Sequence, residues 1–158
     1  MSTTEGFLLD TNVVLHATRE NSPVSMAVDN QFQLRTSPFR PAICEVTVGE
    51  LWAFAQTWGE KRKALLRRNI DDLLIVPIND SRIHHQWAEL YSFARSQGMA
   101  VQHDHNDVWI AAAAHVSGLK LLSTDVNAFL PQHAFLPLRG TAWVNVVVLD
   151  PKTGIIVP

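Results

Sequence analysis

Short apolar runs alternate along this chain with longer segments of helical periodicity. Phe7-Leu8-Leu9 is apolar and stops at Asp10-Thr11-Asn12, residues that turn or cap. A strand leading into a helix over Val13–Arg19 is expected there, with Thr11 or Asn12 as its N-cap. Ser22-Pro23 opens a second helix, serine capping and proline in the first turn, continued by Met26 to Leu34. Two prolines between Thr36 and Pro41 force a loop, and Ala42-Ile43 is a weak strand. Val46, Gly49-Glu50, Ala53 and Phe54 then trace a helix that puts Glu50 among apolar neighbours. Gly59 breaks that pattern, Lys61–Asp72 forms the next helix, and Leu73 to Val76 before Pro77 is a short strand. From Asp80 or Ser81, an amphipathic helix carries Ile83, Trp87, Leu90, Tyr91 and Ala94 on one face and ends at Gly98.

The most telling stretch runs from His103 to Asp125. Val108 to His115 is apolar at seven of eight positions, with four consecutive alanines. A helix apolar nearly all round is a buried one. Gly118 ends it in a left-handed conformation, and Leu119 to Leu122 forms a core strand that stops at Ser123-Thr124-Asp125. Asp107 and Asp125 thus bracket a helix–turn–strand unit, which brings both to one rim. Asn127 to Leu138 is loop, and Trp143 to Leu149 is the strongest strand signal of all. A turn at Pro151–Gly154 leads to a terminal strand at Ile155–Val157. Strands alternating with helices predict an α/β fold, three α/β/α layers around a mostly parallel sheet of about five strands.

Composition narrows the partners. A chain of 158 residues suits one domain spanning 1–158. Hydrophobic content of 47% against 18% charged is that of a globular protein. No run reaches the roughly 18–20 apolar residues of a membrane span, and MSTTEGFLLDTN lacks the basic start of a secretory signal. The single Cys44 fits a reducing cytoplasm. A net charge of −2 excludes a strongly basic nucleic-acid coat, so a polyanion must meet a local patch or a metal.

Four acids stand where apolar segments begin or end, or inside an apolar helix: Asp10, Glu50, Asp107 and Asp125. Each aspartate alone is ordinarily a cap, and Asp104 caps the helix more readily than it serves chemistry. Glu50 is harder to dismiss, because a glutamate facing a core needs a partner. His103-x-His105-x-Asp107 matches half of a zinc hydrolase pattern, but Val108 stands where the next ligand belongs. Asp10-Thr11-Asn12 lacks the second aspartate of a phosphatase nucleophile motif, and no glycine-rich nucleotide cradle occurs. Cys44 reads as packing, and His84, His85 and His133 read as surface residues.

Taken together the motifs are more specific. Leu8–Val14 with D-T-N, Val48–Leu51 with V-G-E-L, Asn106–Ala114 with N-D-x-x-I-A-A-A-A and Leu121–Asp125 with L-L-S-T-D resemble the PIN-domain family. Order, spacing and length are similar to the small VapC-type toxins, over residues 7 to 130. The resemblance implies a metal-dependent endoribonuclease, the toxin of a toxin–antitoxin pair. Asp10, Glu50, Asp107 and Asp125 become its acidic quartet, with Asp10, Asp107 and Asp125 holding Mg²⁺ or Mn²⁺. Asn12 and Ser123 support them, Ser123 standing where the family has threonine. An RNA substrate, an antitoxin protein and a second copy of the chain are the implied partners. A PIN-fold nuclease of RNA processing and a catalytically silent RNA- or protein-binding module remain alternatives. The tail after residue 139 is longer than a minimal member needs.

Physics supports such a quartet independently. Unit charges ~4 Å apart repel by about 1 kcal/mol in water and about 4 at an effective dielectric of 20. Clustered carboxylates therefore share protons or recruit a cation, and oxygen ligands without cysteine suit Mg²⁺ or Mn²⁺. Lys61, Arg62, Arg67 and Arg68 on one helix offer a salt-dependent grip on an RNA backbone. Trp52, Trp87 and Trp109 read as packing residues, with Trp58 and Trp109 candidates for base stacking.

Overall fold

The computed structural model describes residues 6–19, 22–30, 40–96, 105–125 and 146–157. Five parallel strands form one sheet in the order β3-β2-β1-β4-β5, from β1 (Phe7–Leu9), β2 (Ala42–Cys44), β3 (Leu74–Val76), β4 (Lys120–Ser123) and β5 (Val146–Val148). Leu8 pairs with Ala42 on one side and Leu121 on the other, so β1 is central and wholly covered. Among the described residues, six α-helices surround it: α1 (Thr11–Ala17), α2 (Pro23–Asn30), α3 (Glu45–Phe54), α4 (Glu60–Asp71), α5 (Ser81–Ser96) and α6 (His105–Ser117).

Strand alternation sorts the core into two halves. Leu8, Leu121 and Val148 face α5 and the alanine-rich α6. Phe7, Leu9, Ile43 and Leu122 face the other way, onto Val13 and Val14 of α1, Val24 of α2, Leu51 of α3 and Leu66 of α4. At the central strands both sheet faces are therefore buried, which accounts for their nearly continuous apolar sequence, whereas Leu74 and Ile75 of the edge strand β3 remain exposed. Ala111 to Ala114 are fully buried, their small side chains letting α6 lie close to the sheet.

Gly118 has φ 67°. Its N–H reaches the His115 carbonyl and the Leu119 N–H the Ala114 carbonyl, the two bonds of a Schellman stop. That stop aims β4 back along β1, so the ends of both strands share one edge.

Some boundaries differ from the expectation. Asp10, not Thr11 or Asn12, is the N-cap of α1, with φ −66° and ψ 155°. Its backbone N–H is held by the Leu122 carbonyl, which keeps Asp10 extended, and the helix starts at Thr11, two residues before the expected Val13. β2 continues through Cys44, and α3 tightens into a 3-10 turn over Ala55–Thr57. The terminal strand reduces to one antiparallel bridge, Leu149 with Ile156. Gln31–Leu34, the Gly98 stop, His103, Asp104, the Asn127–Leu138 loop, His133 and the first three residues of Trp143–Leu149 lie outside the described residues. Among the described residues, no helix is long and apolar enough to cross a membrane.

Candidate active site

The strand order reverses between β1 and β4, and the carboxyl edge of an open α/β sheet at such a point is where ligands bind. Asp10 follows β1 there, and Ser123 ends β4. Asp10 is only 5% exposed. Its Oδ1 accepts from the Thr11 N–H at 2.8 Å and its Oδ2 from the Ser123 hydroxyl at 2.7 Å. The same Ser123 oxygen accepts the Asp125 N–H at 3.1 Å, so one hydroxyl ties the first acid to the backbone of the last.

Glu50 arrives from α3 through a second hydroxyl relay. Thr11 Oγ1 donates to Glu50 Oε1 at 2.7 Å and stands 3.1 Å from Thr47 Oγ1. Thr11 has a single hydroxyl proton, so with that proton on Glu50 it is Thr47 that donates to Thr11. Thr47 lies three residues before Glu50, on the same face of α3, and is fully buried. This relay is the partner that a half-buried glutamate among apolar neighbours requires.

Asp10 feels all of this electrostatically. Burial pushes its carboxyl above the ordinary value of 3.8. The Ser123 and Thr11 hydrogen bonds pull it partly back, while the negative charges of Glu50 and Asp125 push it up further.

Asp107 stands in the first turn of α6 and is half-buried, and it is not among the charges that shift Asp10. Two residues on, the Trp109 carbonyl accepts from the Cys44 thiol at 3.9 Å; Cys44 is the last residue of β2. The start of α6 therefore sits at the carboxyl edge too. That thiol is buried, and burial pushes it up to about 11, consistent with a packing cysteine. Among the described residues, no three His, Cys, Asp or Glu side chains close into a cage for a metal ion. An ion such as Mg²⁺ that keeps most of its waters needs only one or two direct carboxylates, so an open arrangement suits it.

The supporting and basic residues divide. Ser123 sits at the centre of the hydrogen bonds. Asn12 is exposed, and among the described residues its side chain makes no hydrogen bond to any of the acids. Lys61, Arg62, Arg67 and Arg68 lie on α4; Arg62 is half-buried and the others are exposed. Thr11 and Thr47 were not among the residues expected at the site. The threonine three positions before Glu50 was the available signal.

Of the rings, Trp109 stacks on Trp87, with centroids 5.2 Å apart, and Trp87 stacks on Tyr91, so both tryptophans pack as expected. His84 is exposed but meets Trp109 edge-on.

A parallel α/β sheet with a buried, proton-hungry carboxylate at its switch point and further acids around it defines an acid-site α/β domain. The PIN domain family model matches residues 7–134, and the chain belongs to that family, a class of nucleases. Among curated proteins, none matches the chain. Several solved structures share its fold. The structure of VapBC2 from Rickettsia felis bound to a promoter DNA fragment aligns with a TM-score of 0.71 at 17% identity, covering 92% of this chain and 99% of that one. DNA-bound VapBC from Salmonella typhimurium aligns at 0.69 and 19% identity, covering 90% and 97%. VapBC-5 from Mycobacterium tuberculosis, a toxin–antitoxin system, aligns at 0.60 and 23% identity, covering 91% and 98%.

Proposed function

We propose that this chain is a divalent-metal-dependent endoribonuclease and the toxin of a type II toxin–antitoxin pair. The observation that carries the reading is the state of Asp10. A carboxylate is buried at a sheet edge, hydrogen-bonded in its ionised form, and set against two further acids. Such a group lowers its free energy by binding a proton or a cation, and the donors around it are oxygens, which suit Mg²⁺ or Mn²⁺.

In this reading Asp10, Asp107 and Asp125 hold the ion, and Glu50 completes the acidic quartet. When bound, the ion supplies charge stabilisation at the scissile phosphate and a more acidic water. Ser123 fixes Asp10 Oδ2 in one direction and orients the Asp125 backbone. Thr11 occupies Glu50 Oε1, which leaves Oε2 as the oxygen able to accept a proton from a nucleophilic water. Asn12 is an exposed donor at the mouth.

The antitoxin partner finds support in the fold neighbours, which are toxin–antitoxin complexes. A second copy of the chain and a cytoplasmic location belong to the same proposal. Purified protein with Mg²⁺ or Mn²⁺ is expected to cut a panel of structured RNAs, and D10N and D125N are expected not to. RNA 5′ ends sequenced after induced expression would then identify the target. Cleavage that survives both substitutions, or that persists in EDTA, would remove the quartet from the chemistry.

A further inference from the structure

Three cations have oxygen acceptors close by on the surface. Lys63 lies 3.9 Å from Glu60, Arg82 pairs with Asp80 at 2.8 Å, and Arg40 donates to the carbonyls of Asp71 and Asp72. Arg62 and Arg67 are set apart by what lies beneath them. Among the described residues neither has a carboxylate partner, although the chain carries 15 acids against 13 Lys and Arg. Both guanidinium groups instead lie over tryptophans. Arg62 stands 3.6 Å from the centre of the Trp58 ring, and Arg67 5.1 Å from that of Trp52. Both rings pack partly into the core, so they are fixed supports.

A guanidinium held over a ring by a cation–π contact still has N–H donors directed away from that ring. Arg62 uses one donor on the Thr18 hydroxyl at 3.2 Å, which leaves the rest. Stacking also removes side-chain freedom before any ligand arrives, which lowers the entropic cost of binding. Lys61 and Arg68 add exposed charge on the same helix.

Helix α1 relates this patch to the acids. Asp10 caps its N-terminus, and Thr18, its C-cap, is the residue Arg62 holds. Eight residues at 1.5 Å each separate the two ends by about 12 Å.

We infer that the Arg62–Trp58 and Arg67–Trp52 pairs form a preorganised platform that binds the phosphates of a single-stranded RNA whose scissile bond lies at Asp10. This rests on the nuclease reading for its substrate, but the platform has its own readout. The probe is a labelled 12-nucleotide single-stranded RNA of mixed sequence, bound to the full chain in EDTA over a series of salt concentrations. R62Q/R67Q is expected to weaken binding at least tenfold. It should also flatten the plot of log affinity against log salt by about 1.4, two contacts at about 0.7 each on a single strand. R62K/R67K keeps the charge but loses the planar stack, so it should hold the salt slope and still bind more weakly.

Equal binding by wild type and R62Q/R67Q would overturn the platform. So would a wild type that binds no RNA. If R62Q/R67Q keeps RNA but loses an oligoglutamate peptide, the patch belongs to an acidic protein segment and the RNA assignment falls. If the wild type binds through the patch and cuts nothing when Mg²⁺ or Mn²⁺ is added, the platform stands and the nuclease reading fails. Cutting that R62Q/R67Q performs as well as wild type, with equal binding, is the reverse.

Discussion

Ser123 donates a 2.7 Å hydrogen bond to Asp10 across 113 residues of chain, and both residues are buried. The bond closes the switch point of the sheet: it joins the loop after β1 to the last residue of β4. Ser123 pulls the Asp10 carboxyl down while burial pushes it up, and burial is the larger influence. Stability, ionisation and the capacity to hold a cation therefore meet in one pair of side chains.

Ionising Asp10 costs the fold stability, because its folded value lies above the ordinary 3.8. The contribution of the neutral acid is complete below that value and is lost as pH rises through the folded value. D10N removes the charge and keeps an oxygen for the Thr11 N–H. It is expected to raise the melting temperature at pH 7–8 in EDTA, with a smaller gain near pH 4. A cation that binds only the native state should stabilise wild type and not D10N. Melts with and without Mg²⁺ check this; a D10N curve that overlays wild type throughout would contradict the burial argument.

Ser123 acts on Asp10 in the opposite sense. S123A removes a hydrogen bond to the ionised carboxylate, worth about 1.5–3 kcal/mol for a charged partner. Asp10 should then ionise at higher pH, so the acid limb of the cleavage profile is expected to move upward. S123T keeps the hydroxyl and should retain the wild-type limb. A profile of log(kcat/KM) against pH for the three proteins decides it.

The sheet was largely legible in the apolar runs. Phe7–Leu9 and Leu119–Leu122 had to be covered on both faces, and the structure puts β1 and β4 side by side at its centre. The N-cap was harder to read, since Asp10, Thr11 and Asn12 are all capping residues. The bond that decides between them comes from Leu122, a long-range partner that no local pattern reveals. Asp10 and Asp125 were legible because apolar strands end at them. Thr11 and Thr47 were not, because a threonine at a helix start looks the same whether it caps or relays a proton. The Arg–Trp stacks were equally hidden. They depend on how α4 crosses α3 and the 3-10 turn after it, and periodicity fixes which face of a helix is buried but not which neighbour it meets.

Thr11 is the hinge of the Glu50 relay. T11V is nearly isosteric but leaves the Thr47 hydroxyl without its acceptor, at a cost of about 1–3 kcal/mol. Glu50 also loses the bond that holds Oε1. A fall in kcat at near-constant KM is expected, alongside the lower melting temperature. A variant that melts lower and cuts at the wild-type rate would confine Thr11 to a structural role.

Two glycines with positive φ allow the fold and the site to be separated. Gly118 (φ 67°) has open space around its α-carbon, so G118A carries only the left-handed backbone cost of about 1 kcal/mol. Gly154 (φ 72°) is different: a β-carbon there would run into the Pro23 carbonyl, against which the C-terminal turn packs. G154A must therefore strain the backbone and also lift that turn off α2. Chemical denaturation should rank the loss as G154A well above G118A, with RNA cleavage by folded G118A unchanged. Equal losses would mean that the tail does not lean on α2 in solution, and that the Leu149–Ile156 bridge contributes little to the edge of the sheet.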